Sequence, residues 1–139
     1  MTKFDYELGQ DSCLKNPNVG DAEIRELLFE GKDLRLRIFQ PFDGARTEIL
    51  LRKLLFLFFH TNYAQNVIDS LSIYESWASA RLPAEVDAKV LKREFGYDGK
   101  YIVAINSIAG GPLVCGSCGL EIFHEPEPES SQKGIDVVR

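Results

Sequence analysis

The chain lacks any long hydrophobic run. Its strongest apolar stretch, residues 54–59, is far short of the roughly 20 residues that a helical bilayer span needs, so no membrane-crossing helix is expected. Cysteine is scarce too: three among 139 residues, an odd number at ordinary density, which fits a reducing compartment better than a disulfide-scaffolded secreted domain. Lys3, Asp5 and Glu7 stand where an export signal needs apolar residues, and a cytoplasmic location is the expectation. Positive charge is in deficit, with 16 Lys and Arg against 21 Asp and Glu and a formal charge of −5. That balance argues against general affinity for nucleic acid or an anionic membrane surface. Motifs of the H-E-x-x-H, G-x-S-x-G, phosphate-loop and dinucleotide-binding types are all missing. Spacing singles out no carboxylate pair among the acids, so no enzymatic activity is expected.

What is present is enough apolar content, 45%, for one self-sufficient domain. Residues 1–20 mix Gly9, Pro17 and Gly20 with polar side chains and read as a lead-in loop with at most one short element. Residues 21–124 read as the globular domain. Residues 125–139, rich in Pro, Glu and Ser, read as a polar, flexible tail.

Within the domain the pattern is mostly that of strands. Residues 24–30, a turn at Gly31-Lys32-Asp33, and the alternation of Leu34, Leu36 and Ile38 with Arg35 and Arg37 make a hairpin with one buried face. Gln40-Pro41-Phe42-Asp43-Gly44-Ala45 is a second turn. A strand near residues 47–51 is interrupted at Arg52-Lys53, and the apolar run 54–59, half of it Phe, favours strand over helix. A further strand covers 67–74, with Ile68, Leu71, Ile73 and Tyr74 as core candidates. Pro83 starts the one good helix, which places Val86, Val90, Leu91 and Phe95 on a stripe, turns Lys89, Lys92 and Arg93 outward, and stops at Gly96. Strands at 100–108 and 120–124 complete the chain. The fold expected is mainly β (α+β): an antiparallel sheet or sandwich of about six strands with one covering helix. An exposed edge of such a sheet is open to a homodimer.

The segment with chemical precedent is Cys115-Gly116-Ser117-Cys118-Gly119. A redox pair needs a strand feeding a helix, whereas here a turn feeds a strand. As half of a zinc knuckle the pair needs two more ligands, and only Cys13, His60 and His124 are on offer. A small zinc-binding or thiol-dependent protein centred on Cys115 and Cys118, with Cys13 and His124, is therefore the alternative to a reading with no cofactor, in which the glycines make a tight turn into the last strand. Trp77, Tyr74 and Tyr63 make either an aromatic patch or core.

Charge is unevenly spread. Residues 1–33 hold eight acids and four bases, and residues 34–60 hold five bases and two acids. An acidic face either attracts a basic partner or is simply solvated.

Asp21-Ala22-Glu23-Ile24, Leu34-Arg35-Leu36 and Gln65-Asn66-Val67-Ile68, in this order and separation, resemble small bacterial domains grouped with the immunity proteins of polymorphic toxin systems. The resemblance spans roughly residues 21–75. Members often carry His where this chain has Gly20, so no metal or catalytic role comes over at that point. The resemblance implies a compact, non-enzymatic domain that binds another protein, with a basic toxin as the expected partner and Asp21 and Glu23 on an acidic, partner-facing edge. Asn66 is expected to fix a local turn.

Overall fold

The computed structural model describes residues 1–59, 67–83, 86–95, 100–107 and 112–126. His60, Tyr63, Asn66, Gly96 and the tail from 127 onward lie outside the described residues. Among the described residues nine strands run in chain order: β1 Thr2–Phe4, β2 Glu7–Leu8, β3 Leu14–Asn16, β4 Glu23–Glu30, β5 Asp33–Phe39, β6 Arg46–Phe59, β7 Ile68–Tyr74, β8 Tyr101–Ser107 and β9 Leu113–Glu125. One helix, α1 Ala88–Phe95, precedes β8. The expected mainly β, antiparallel architecture with one helix is what forms. The main sheet has the order β4-β5-β6-β9-β8-β7, with β1 added to β9, and all its pairs are antiparallel.

The sheet curls until its outer strands meet. Glu23 bridges to Val67, the Asp21 amide donates to the Ile68 carbonyl, and the Ile68 amide donates to the Ala22 carbonyl. Cys13 bridges to Ser72 on the outer side of β7, so the segment before β4 helps close the seam. The interior is aliphatic and draws on every strand of the curl: Ile24, Leu34, Leu36, Ile38, Ile49, Leu51, Ile68, Leu71, Ile73, Val103, Ile105, Leu113 and Ile122 are buried there. Curling the sheet buries one face of each strand, which is why β5 alternates as its sequence requires. A second, smaller cluster lies outside, where Phe56, Tyr74, Ile102, Ala104 and Val114 pack with Val86, Trp77 and Leu91.

Four expectations are revised. Residues 1–20 hold three strands rather than at most one short element, and Leu14 and Val19 enter the core. Their apolar residues are too sparse to show a period, and pairing with distant strands supplies the order. The chain from 46 to 59 is one strand, and Arg52-Lys53 marks a kink in it. Lys53 adopts φ 55°, its amide donates to Asp33 Oδ1 at 3.0 Å, and a bulge follows between Leu54 and Phe56. The helix starts at Ala88 rather than Pro83, because Asp87 caps it: Oδ1 accepts from the amides of Lys89 and Val90 at 3.0 and 3.1 Å. Of its expected stripe, Val86 and Leu91 pack inward while Val90 is exposed. Finally, the last strand begins at Leu113, so the cysteine pair lies inside it and not in a turn.

Candidate functional site

Two regions were eligible from the sequence, and the fold treats them differently and adds a third. The cysteine pair sits in the middle of β9. Cys115 is wholly buried inside the curl, opposite Leu57 and Val103, and burial pushes its thiol up to about 12. At that value no thiolate is present near neutrality to take part in redox exchange. Cys118 is half-buried. His124 lies farther along the same strand, about 20 Å from Cys118 at the rise of an extended chain. Cys13, beside β7, is three strand spacings from Cys115, about 14 Å. The structure therefore does not bring Cys115, Cys118, Cys13 and His124 together. Among the described residues no three His, Cys, Asp or Glu side chains gather to hold a metal ion.

The glycines of that segment have a packing role instead. Gly116 faces the outer cluster, and the ring of Phe56 lies directly against it, leaving no room for a side chain. Phe56 in turn stacks on Trp77, with centroids 5.9 Å apart and planes at 21°. Both Cys115 and Ile122 belong to the interior cluster although the interval between them is odd. Alternation therefore slips once along β9, around Ser117 to Gly119, where Ser117 Oγ donates to the Gly119 carbonyl at 2.8 Å.

The second region is the acidic N-terminal third. Three of its acids, Glu26, Glu30 and Asp33, pair with the basic segment that follows, because β4, β5 and β6 lie side by side. Arg35 bonds Glu30 at 3.2 Å and Glu48 at 2.8 Å, and Arg37 reaches Glu26 at 3.1 Å and Glu48 at 3.3 Å. Arg52 reaches Asp33 at 3.6 Å and Glu121 at 2.6 Å, which holds the Glu121 carboxyl below the usual carboxylate range. Glu23 is held by Arg25 at 2.8 Å, and Arg25 lies over the Phe39 ring, 4.4 Å from its centroid. Glu23 is thus part of this ladder rather than an unpaired acid facing outward. The cleft beside it, about 530 Å³, mixes Arg25, Arg37 and Arg46 with Glu26, Glu48 and Glu125, so its charges offset one another.

The third region is a cleft of about 540 Å³ at one end of the curl, between the 16–22 segment and the 40–45 turn. It gathers Asp21, Asp43, His124, Thr47 and Gln40, with Phe42 at its rim. The two walls are tied together: Gln40 Nε2 donates to the Gly20 carbonyl at 3.0 Å, and the Gln40 amide donates to the Ala45 carbonyl at 2.8 Å. Asp43 Oδ1 accepts from the Ala45 amide at 2.9 Å, and Gly44, at φ 77°, allows the reversal. His124 Nδ1 and Thr47 Oγ1 are 2.9 Å apart. Burial lowers the imidazole's pKa, and the field of Asp43 works against that shift. Phe42 is 86% exposed.

Of the residues favoured by sequence, then, Asp21 and His124 meet in one cleft, Glu23 is tied up beside it, and the cysteines lie elsewhere. Phe42, Asp43 and Thr47 went unrecognised as site residues. The signal for Phe42 was an aromatic at the tip of a Pro-Phe-Asp-Gly turn, where burial is not available. No protein-family model matches the chain, and no curated protein or solved structure shows significant similarity to it.

Proposed function

We propose that this chain is a non-enzymatic protein-binding domain of the immunity type, and that it meets a basic partner through the cleft end, with Phe42 as anchor and Asp21 and Asp43 as the charges. The observation that carries the reading is the 86% exposure of Phe42 beside that cleft. A large aromatic held out on a turn tied to its neighbours is a rigid contact group of the kind that dominates protein interfaces. The ion-pair ladder supports the choice of end. Its acids are neutralised within the sheet, whereas no ion pair of Asp21 or Asp43 is found among the described residues. Complementary charge at such a rim accelerates encounter with a cationic toxin.

A binding role also fits the one contact that resembles catalytic machinery. Thr47 Oγ1 and His124 lie within hydrogen-bond reach, as a nucleophile and its base do, but Thr47 is only 4% exposed, which leaves a substrate little access to it. The test is co-expression with the product of the adjacent gene. If that product arrests growth, this protein should relieve the arrest, and Phe42→Asp with Asp43→Lys should abolish the relief while leaving the fold intact. A harmless metabolic neighbour, or relief that survives both substitutions, would sink the proposal.

A further inference from the structure

We propose that His124 makes this cleft pH-responsive: as neutral imidazole it leaves the charge of Asp21 and Asp43 unopposed, and as imidazolium it offsets one of them, so a cationic partner group is released on acidification. The inference rests on the binding role proposed for the cleft, and it stands first on geometry. His124 lines the cleft together with both aspartates. β6 presents Thr47 to its Nδ1. β1 presents Phe4, edge-on, with ring centroids 5.6 Å apart. The 40–45 turn presents Asp43 and the 16–22 segment presents Asp21. The charged residues nearest on its own strand and on β6, namely Glu125, Arg46 and Glu48, line the other cleft instead.

Among the described residues no cation of this chain is therefore found in the cleft, and of those residues the imidazole is the group there able to gain positive charge in mildly acidic solution. Burial favours its neutral form, while Asp43 favours the charged one. The midpoint of its protonation consequently lies below the ordinary histidine value of 6.5, so the neutral form prevails at neutral pH. A cationic group bound between the aspartates would then face a new positive charge across a partly solvated space. At a separation of about 8 Å that repulsion weakens binding about fivefold.

The probe is arginine amide, titrated into the protein near pH 7.5 and near pH 5 and followed by the backbone amide NMR signals of residues 18–22 and 43–47. The His124 side-chain signals give its midpoint directly, since the sequence holds only two histidines. Expected are saturable shifts confined to the cleft, about fivefold weaker at the lower pH, and a much smaller pH dependence in His124→Gln. That variant keeps both aspartates and so isolates the contribution of the imidazole. Asp43→Asn should move the His124 midpoint further down, a readout that does not depend on ligand. Equal affinity at both pH values, or the same loss in His124→Gln, overturns the switch and leaves the binding reading standing. No cleft shifts at either pH overturn the cationic-group reading itself, and the switch with it.

Discussion

Replacing Gly116 with alanine puts a methyl group where the Phe56 ring already lies. An ideal Cβ there would stand 2.9 Å from Phe56 Cζ and 3.0 Å from Cδ1, and nearer still to Cε1. The ring must move, and it is buried, held between β9 and Trp77. Overpacking of this kind costs about 1–3 kcal/mol. Losing the Phe56–Trp77 ring contact adds about 0.5–1.5 kcal/mol, for a total of about 1.5–4.5 kcal/mol. Trp77 is the sole tryptophan, so urea unfolding followed by its emission reads both stability and the local contact. Gly119→Ala is the comparison: its Cβ would sit 3.3 Å from Arg52 Cβ, only a few tenths of an ångström inside ordinary contact, and should cost less than about 1 kcal/mol. Phe56→Leu combined with Gly116→Ala should recover about 1 kcal/mol or more relative to the summed single costs. The reasoning is refuted if both glycine substitutions cost the same, or if Gly116→Ala leaves Trp77 emission and the unfolding midpoint unchanged.

Three further outcomes follow from single positions. Lys53 holds φ 55° in the middle of β6, a conformation that costs an L residue about 1 kcal/mol or more, so Lys53→Gly should raise stability by about 0.5–1 kcal/mol in denaturant melts. A loss would mean that the lysine side chain, rather than its backbone, matters there. Glu48 accepts from both Arg35 and Arg37, and Glu48→Ala should cost about 1 kcal/mol at low salt and less at high salt, compared by unfolding midpoints. Salt-independent destabilisation would point to packing instead. Cys115, buried with its thiol pushed up to about 12, should resist a disulfide reagent in the folded Cys13→Ser, Cys118→Ser variant and react fully once denaturant is added. Rapid modification of the native variant would show that the interior opens at β9.

Legibility varied with the range of the interaction. The β4–β5 hairpin was readable because its period, its turn and its buried face are all local: Gly31 turns with φ 64°, and Leu34, Leu36 and Ile38 are buried as the alternation requires. The strand at 46–59 was readable as strand but not as continuous, because the kink at Lys53 is held by Asp33 from another hairpin. At 113–119 the glycines read as a turn, since the requirement they meet, room for the Phe56 ring, comes from a residue far away in sequence. The cleft was half legible. Asp21 and His124 drew notice separately, and nothing in their spacing said that they share a wall with Asp43 and Thr47.

By itself the sequence determined the class of the fold, since strand periodicity and turn chemistry are properties of neighbouring residues. It also determined that the acidic first third is followed by a basic segment. Tertiary structure decided what those features do. Antiparallel pairing set the two charge blocks against each other and paired Glu26, Glu30 and Asp33 across the strands. Curling of the sheet put Cys115 inside and drew Asp21, Asp43 and His124 to one open end. Both outcomes depend on which strands become neighbours, and that is fixed by burying the aliphatic faces of six strands at once.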